Sequence, residues 1–375
     1  MMKVIGNGEF AEVISRYFYR SFPKATKIDK ENLLEILTDL LVGTREYRYG
    51  PKPKVESLYV IRQTISKAIE LNVPIPVLVP WGGRKADPLL SVDIAEVSAL
   101  KQLIAVDEFV KQFFSPGLHI HIRIEDLGAD WIYRVQDVST SIEQYSSDMV
   151  LLVNSLKGIT HIEPIRESQL MPKDEYFKLS EKYSELIEAT IQAMRAYKDL
   201  DINTIPEYNQ LLLMGWKGEI DKVQQEYYIE RYKKLYPGLK EEEYVLMLSD
   251  YLGGAKARYD LNGRAEPDSS VGSHIQITFV PPIPGAPKQL FSNTLYYRTV
   301  PESSGRTHIA PWRGKGYIEI IDDYPVAKIV HNAREIADIY ENTVELADDH
   351  GKNPLIVRAD YRFGIFTPLP IGMII

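Results

Sequence analysis

The sequence predicts an α/β fold with a mainly parallel central sheet, a helical insert and a strand-rich C-terminal part. Short apolar runs alternate with longer segments of helical period in residues 1–170, as in strand–helix–strand units. Two long, charged helical segments follow in residues 171–254. Alternating apolar and polar residues then become frequent within residues 255–375, which are expected to complete the functional site. The first of these three parts is predicted to be Rossmann-like.

The N-terminal residues have the layout of a dinucleotide-binding start. Gly6 and Gly8 precede a helical pattern, and an acidic residue, Asp29, follows about 20 residues later. Ala11 stands where the third glycine would be, and the strand before Gly6 would be very short. An N-terminal turn with an amphipathic helix explains the same residues, so NAD binding stays one of two alternatives.

Two helices are expected before the first strand of the sheet. Residues 31–41 carry leucines on one side, and residues 54–71 lead directly into the apolar run 75–79. That run is short and bounded by prolines, which is typical of a buried strand in a parallel sheet.

A loop with two glycines and two cations follows this strand, Trp81-Gly82-Gly83-Arg84-Lys85. Glycines allow main-chain N–H groups to approach an anion, and arginine offers a planar fork of donors. We predict that Arg84 and Lys85 bind a phosphate or a carboxylate. Solvated surface cations are the alternative.

The next helix is predicted to have Ser91 as its cap and two carboxylates, Asp93 and Glu96, in its first turn. The helix dipole alone explains carboxylates at this end. Glu96 is nevertheless a candidate catalytic group, because it follows the cationic loop. The helix is expected to end at Ser115-Pro116-Gly117.

The following strand alternates, with Leu118, Ile120, Ile122 and Ile124 on one face and His119, His121 and Arg123 on the other. Its polar face requires water or a ligand. The strand ends at Glu125-Asp126-Leu127-Gly128, and ligands of open α/β sheets bind at the carboxyl ends of strands. Asp126 is therefore a candidate catalytic carboxylate.

His119 and His121 have the spacing of a two-histidine metal site, to which Glu125 or Asp126 would add a carboxylate. A partly solvated strand face explains the two histidines equally. We predict that no metal is needed, and a metal on these histidines would indicate a different chemistry.

Further elements complete the prediction. Residues 131–135 are expected to be extended, residues 139–156 helical, and residues 159–165 a short strand. Residues 171–198 and 206–236 are helical in period, and a later helix is expected to end at Gly253-Gly254. Lys256 and Arg258 then form a second cationic cluster. The runs HIQITFV, TLYYRTV and KGYIEII predict antiparallel strands, residues 324–329 one more strand, and residues 332–349 a helix.

Composition excludes several classes of function. The net charge of −8 argues against a general nucleic-acid surface. The absence of cysteine excludes disulfides, thiolate catalysis and cysteine-ligated metals, and agrees with a cytoplasmic setting. No window approaches the roughly 18 apolar residues of a membrane span. We expect small-molecule partners and no association with a membrane. A homo-oligomer is possible.

The order of these features resembles the isonitrile synthase family, also called the pyoverdine and dityrosine biosynthesis family. In that family a strand ending in proline leads to a loop with lysine and arginine. An aspartate and an Ala-Glu pair then open a long helix, Pro-Gly follows it, and the next strand ends in an aspartate-glycine turn. The similar residues here are Pro80, Arg84, Lys85, Asp93, Ala95, Glu96, Pro116, Gly117, Asp126 and Gly128.

The resemblance extends more loosely to the C-terminal part. An Ala-Lys segment with an arginine and a Thr-Pro-Trp-His loop in the family are similar to Ala255-Lys256 with Arg258 and to residues 310–313. Arg313 stands in place of the family's histidine, Leu127 separates the aspartate from the glycine, and Pro80-Trp81-Gly82-Gly83 replaces a Pro-Phe-type loop.

The resemblance implies a lyase- or transferase-type enzyme of secondary metabolism that needs neither a metal nor another cofactor. It would condense the amine of an aromatic amino acid with the carbonyl of ribulose 5-phosphate, a pentulose phosphate, and convert that nitrogen to an isonitrile. The candidates to move protons are Glu96, Asp126 and His308, and those to bind the substrates are Arg84, Lys85, Lys256, Arg258, Arg306 and Arg313.

These groups are expected to line one crevice at the carboxyl ends of the strands. Two other functions would use the same crevice. One is a nucleotide-sugar- or sugar-phosphate-dependent transferase, and the other is a non-catalytic protein that binds a phosphorylated ligand on the same fold.

Overall fold

The computed structural model describes residues 32–43, 53, 55–85, 92–133, 138–158, 160–197, 199–216, 220, 222–235, 238–262, 266–279, 294–297, 310–313, 315–321 and 324–330. The first half of this structure contains helices α1 (Leu33–Gly43), α2 (Val55–Leu71), α3 (Ile94–Lys111), α4 (Asp126–Ile132) and α5 (Ser139–Ser155). Its strands are β1 (Ile75–Gly82), β2 (Leu118–Glu125) and β3 (His161–Arg166).

The second half begins with a series of helices, α6 (Glu167–Leu170), α7 (Lys173–Ala196), α8 (Pro206–Leu213), α9 (Lys222–Leu235) and α10 (Glu241–Asn262). Strands β4 (Ile275–Thr278), β5 (Thr294–Tyr296), β6 (Lys315–Ile321) and β7 (Tyr324–Val330) follow. Short 3-10 turns lie at Ile202–Thr204 and Pro311–Arg313.

The central sheet has five strands in the order β3-β2-β1-β4-β5, and every neighbouring pair is parallel. This confirms the predicted α/β fold with a parallel sheet. The chain adds β2 and β3 on one side of β1, and then β4 and β5 on the other. The strand order therefore reverses between β1 and β4, where open α/β sheets form a ligand crevice at the carboxyl ends of the strands.

The two faces of the sheet differ in chemistry. One face carries apolar side chains that pack with α1, α2, α3 and α5 in a single core, among them Ile75, Val77, Val79, Leu118, Ile120, Ile122, Ile162, Ile275, Ile277 and Leu295. On the opposite face, the register places His119 of β2 beside His161 of β3, and His121 beside Glu163. The alternation predicted for β2 is thus present, with its isoleucines buried.

A second core is formed mainly by helices. It joins α4 with α7, α8, α9 and α10, and the largest contact between helices is that of α7 with α10. Leu127 and Trp131 bring α4 into this core from the end of β2. The boundary suggested by the sequence after residue 254 falls inside α10.

Residues 131–132 are helical, so the prediction of an extended segment there was wrong. The Trp131 indole N–H donates to the Asp250 carbonyl at 3.2 Å, and its ring is buried in the second core. A short apolar segment does not distinguish helix from strand on its own, and here packing against α10 decides.

The strands after residue 273 are not all antiparallel, as the sequence suggested. β4 and β5 join the parallel sheet, and only β6 and β7 of the described strands form an antiparallel pair. Alternation of apolar and polar residues has the same period in either orientation. The long helical connection from β3 to β4 is of the kind that a parallel arrangement requires.

α10 continues through Gly253 and Gly254, where the sequence predicted its end. A Cβ atom on Gly253 would lie 2.4 Å from Ser184 Oγ and 2.7 Å from the Ser184 backbone nitrogen. The two glycines therefore allow close packing of α7 against α10 and do not cap the helix.

We expect Gly253→Ala to lower the free energy of unfolding by about 1–3 kcal/mol, the usual cost of overpacking, although alanine is the better helix former. Gly254→Ala is the comparison and should cost less, because its Cβ would meet only side-chain atoms, with Tyr176 Oη at 2.7 Å, and side chains shift more easily than the Ser184 backbone. Urea unfolding of both variants tests this. A Gly253→Ala protein as stable as the parent would contradict the packing role.

Several predictions fall on residues outside the described ranges. These are the dinucleotide-binding layout in residues 1–31, the candidates Arg306 and His308, and the helix at residues 332–349. Among the helices that the structure describes, none has the length and apolar character needed to cross a membrane.

Candidate functional site

The loop after β1 packs tightly at the carboxyl edge of the sheet. A Cβ atom on Gly83 would lie 2.3 Å from the Glu125 carbonyl oxygen, and one on Gly82 would lie 2.4 Å from the Trp312 ring. Only glycine fits at these two positions, so the ends of β1 and β2 and the turn Pro311–Arg313 meet here. Other protein atoms fill the space that a Cβ atom would need at both positions. Gly82 and Gly83 therefore have a packing role.

Lys85 is completely buried at the end of this loop. Its ammonium group donates to both carboxylate oxygens of Glu96 at 2.7 Å and to the Pro311 carbonyl at 2.8 Å. Asp93 Oδ1 lies 3.2 Å from the same nitrogen. Lys85 therefore joins the start of α3 to the turn at Pro311, and a substrate phosphate would have to displace these contacts to reach it.

Two carboxylates, those of Asp93 and Glu96, cap the N-terminus of α3. Asp93, and not the predicted Ser91, is the residue that caps the helix, and its side chain accepts from the Ala95 N–H at 2.7 Å. Glu96 completes a capping box by accepting from the Asp93 N–H at 2.8 Å. Two N–H groups at this helix end thus already have acidic partners.

Glu96 also belongs to a buried chain of hydrogen bonds that includes two aromatic side chains. The Tyr145 hydroxyl donates to Glu96 Oε1 at 2.9 Å, and the Trp81 indole N–H donates to the Tyr145 oxygen at 3.0 Å. Burial raises the pKa of the Glu96 carboxyl to about 7, with the Lys85 charge opposing the shift and the Asp93 charge adding to it. Burial and the Glu96 charge also raise the pKa of Tyr145.

A second ionic cluster lies at the ends of β2 and β3. Arg123 Nη2 is 2.9 Å from Glu125 Oε1, and Arg258 Nε of α10 is 2.6 Å from Glu167 Oε1. Longer contacts of 3.6 and 3.7 Å join Arg258 to Glu125 and Arg123 to Glu167. Two arginines and two carboxylates from three distant segments of the chain therefore share one partly buried site.

Burial raises the pKa of Glu167, while the charge of Arg258 opposes that shift. Burial lowers the pKa of Arg258, but the Glu167 and Glu125 carboxylates outweigh it and shift that pKa upward. Gly128 brings α4 against this pair, because its N–H donates to Glu167 Oε2 at 3.2 Å and a Cβ there would lie 2.8 Å from Arg258 Nη2.

A solved structure is similar to this chain over most of its length. It is the crystal structure of the PvcA protein from Pseudomonas aeruginosa. The sequence identity is 15%, the TM-score is 0.48, and the match covers 86% of this chain and 98% of that chain. Neither a protein-family model nor a curated protein sequence matches this chain.

Asp126, the predicted catalytic carboxylate, is the first residue of α4 and links β2 to the segment after β3. It accepts from the Ser168 hydroxyl at 2.5 Å and from the Ser168 N–H at 3.1 Å. Its side chain is held by these bonds between two strand ends, which is a local structural role.

Arg84 does not extend into bulk solvent, since only 8% of the residue is exposed. Its guanidinium carbon lies 4.8 Å from the centre of the Tyr133 ring at the end of α4, which is a cation–π distance. Arg84 directly follows Gly83, so it is anchored next to the Glu125 backbone.

Lys256 and Arg258 do not form one clamp. Lys256 pairs with Asp260 and lies 5.0 Å from the Tyr183 ring centre, so it faces α7, whereas Arg258 faces Glu125 and Glu167. Residues two apart on a helix point about 200° apart, which explains the separation. Arg313 is half-buried in the turn that follows Ala310.

Sequence reasoning missed Arg123, Glu125 and Glu167 as members of the site. Glu125 ends β2 and Glu167 directly follows β3, so both occupy positions where ligands of parallel sheets bind. That rule was applied to the turn after Ile124, but a catalytic role was assigned to Asp126 and not to Glu125. Applied also to the end of β3, it would have found Glu167.

Proposed function

We propose that this protein is an isonitrile-synthase-like enzyme that condenses an amino-acid amine with a pentulose phosphate of the ribulose 5-phosphate type. The observation that supports this most is contact among the segments that carry the resemblance. Lys85 contacts Glu96, Asp93 and Pro311; Gly82 adjoins Trp312; Gly83 adjoins Glu125; and Gly128 adjoins Arg258.

The chemistry of the edge suits this substrate pair. Arg84 and Arg258 lie beside the ends of β1 and β2, and we assign them to the substrate's phosphate and carboxylate. Arg123 lies there too, but it is more deeply buried than Arg258 and pairs with Glu125. Glu125 keeps 28% of its side chain exposed next to them, and we assign it the proton transfers of carbinolamine dehydration and carbon deprotonation.

The remaining charged groups act indirectly in this proposal. Glu167 is completely buried and holds Arg258, while Lys85 and Glu96 hold the turn at Pro311–Arg313 against the loop after β1. These are positioning roles. They differ from the sequence-based expectation that Glu96 and Asp126 transfer protons and that Lys85 and Lys256 bind substrate.

The geometry disfavours dinucleotide binding at α3. A Rossmann-type site places the pyrophosphate on the N-terminus of the helix after the first strand of its βαβ unit. Here β1 is followed by α3, whose first turn carries Asp93 and Glu96 as capping carboxylates. A pyrophosphate at this helix end would meet two acidic groups in place of N–H donors.

The test is incubation of the purified protein with ribulose 5-phosphate and either L-tyrosine or L-tryptophan. We expect release of inorganic phosphate that depends on the amino acid, together with conversion of the amine to an isonitrile, detected by mass spectrometry. Parallel incubations with a nucleotide sugar and with NAD test the other functions. Turnover with the nucleotide sugar and none with ribulose 5-phosphate would overturn the proposal in favour of a transferase.

Arg84→Ala is expected to weaken binding of ribulose 5-phosphate by about 1.5–3 kcal/mol, the scale of a charge-assisted hydrogen bond. Isothermal titration calorimetry measures the affinity, and circular dichroism checks the fold. Arg62→Ala is the control, because Arg62 lies on α2 and pairs with the exposed Glu35. Equal affinity for both variants would remove Arg84 from the substrate site.

A further inference from the structure

The polar face of the sheet carries a cluster of histidines that the proposed function does not use. His119 and His121 of β2 pair in register with His161 and Glu163 of β3, so all four side chains lie on one face. His274, just before β4, packs against His121 with ring centroids 5.1 Å apart. Four imidazoles from three segments therefore meet within one region of the sheet.

Three of these residues have the geometry of a metal site. One ligand atom from each of His119, His121 and Glu163 can be chosen so that all three lie within 4.8 Å of one another. Of these atoms, His119 Nε2 and Glu163 Oε1 are 3.6 Å apart. Bonds of about 2.0–2.1 Å to a tetrahedral zinc ion separate the ligand atoms by about 3.3 Å, so small side-chain rotations suffice.

The same cluster contains polar atoms that the described residues leave unsatisfied. His121 Nδ1 and His274 Nε2 are buried and have no hydrogen-bond partner among those residues. A buried polar atom without a partner costs about 1–3 kcal/mol. A ligand at this face that accepts an imidazole lone pair would remove that cost for His121.

Geometry and burial favour the neutral form of these histidines, which is the form that binds metals. The His119 and His121 rings are only 4.1 Å apart, which favours neutral imidazoles because two imidazolium ions would repel. Burial lowers the pKa of His121 to about 3, with the neighbouring His119 and His274 adding to the shift, and burial also lowers the pKa of His119.

We propose that His119, His121 and Glu163 bind one zinc ion on this face of the sheet. Two imidazole nitrogens and one carboxylate oxygen suit a first-row transition metal, whereas Mg²⁺ and Ca²⁺ prefer oxygen ligands throughout. Three protein ligands leave a fourth position for water. The ion cross-links β2 to β3 and stabilises the sheet.

This site is separate from the one at the carboxyl edge. Along β2, His121 lies two residues before Arg123 and four residues before Glu125, which corresponds to about 7 Å and about 13 Å of strand. The sequence suggested that a metal on these histidines would speak against the condensation reaction. In this proposal the zinc ion is structural and takes no part in the condensation reaction, so zinc binding and turnover are tested separately.

The experiment begins with protein stripped of metal by a chelator and then titrated with ZnCl₂ in a calorimeter. We expect one zinc ion per chain and a rise in melting temperature with zinc, because a ligand of the folded state stabilises it by mass action. MgCl₂ is expected to produce neither effect. The experiment measures heat, stoichiometry and melting temperature, none of which depends on turnover. A negative result in the enzymatic test would therefore not count against zinc binding.

Two ligand variants and one control make the test specific. His119 and Glu163 expose 35% and 55% of their side chains, so His119→Gln and Glu163→Gln are expected to fold. Each should weaken zinc binding at least about tenfold. His161→Asn removes an exposed imidazole on the same face and should change the affinity less than about threefold. Absence of zinc binding, or binding unchanged in both ligand variants, would overturn the proposal.

Discussion

Lys85→Met is expected to lower the free energy of unfolding by about 3–5 kcal/mol, the cost of removing one partner from a buried ion pair. Glu96 and Asp93 would remain buried with no cation between them, since Lys85 lies within 3.2 Å of both carboxylates. The Pro311 carbonyl would lose its donor as well. Urea unfolding followed by tryptophan fluorescence measures the loss, because Trp81 and Trp312 belong to the core beside this network.

Two further variants separate the buried charge from lysine substitution in general. Lys173→Met removes an ammonium group that is 56% exposed and paired with Asp130, so its cost should stay below about 1 kcal/mol. Lys85→Met combined with Glu96→Gln removes one of the uncompensated charges and should regain part of the stability. A Lys85→Met protein as stable as Lys173→Met would show that the network contributes little.

The network also connects stability to the proposed function. Lys85 bonds to Pro311, and Gly82 packs under Trp312, so the turn at Pro311–Arg313 is attached to the loop after β1 by one polar and one apolar contact. Loss of Lys85 would loosen one side of the candidate site without removing a group that we assign to the substrate. A displacement of about 1 Å at a reacting centre can cost about 100-fold in rate.

Sequence periodicity was sufficient for the part of the fold in which each element is fixed by its own pattern. The apolar run at residues 75–79 and the alternation at residues 118–124 became β1 and β2, and the apolar face of β2 became the buried one. Whether a strand residue is buried depends on the face of the sheet to which its side chain belongs. The alternation of apolar and polar residues within one segment therefore predicts which side chains are buried.

Pairing between distant segments has no such local signal. Nothing near Lys85 in the sequence indicates that Pro311 accepts its hydrogen bond, and nothing near Arg258 indicates Glu167. Gly253 was interpreted as a helix end because glycine is common there, but close packing against Ser184 requires the same residue. The cations could be singled out from the sequence, whereas their partners became visible only in the folded chain.

Arg258→Met is expected to reduce the turnover of ribulose 5-phosphate at least about 100-fold and to lower the free energy of unfolding by about 3 kcal/mol. The Arg258 guanidinium contacts Glu167 at 2.6 Å, and 19% of the Arg258 side chain is exposed. Arg258 therefore neutralises a buried carboxylate and is also accessible to a substrate. Amino-acid-dependent phosphate release measures the first effect, and urea unfolding measures the second.

The double variant Arg258→Met with Glu167→Gln distinguishes these two roles. It removes both charges of the pair, while the glutamine oxygen can still accept from the Gly128 N–H that Glu167 now binds. Stability should therefore recover, because no uncompensated charge stays buried. Turnover should not recover if Arg258 contacts the substrate, since no cation replaces it. Recovery of both would mean that Arg258 acts only by neutralising Glu167, and the substrate's carboxylate or phosphate would then have to bind elsewhere at this edge.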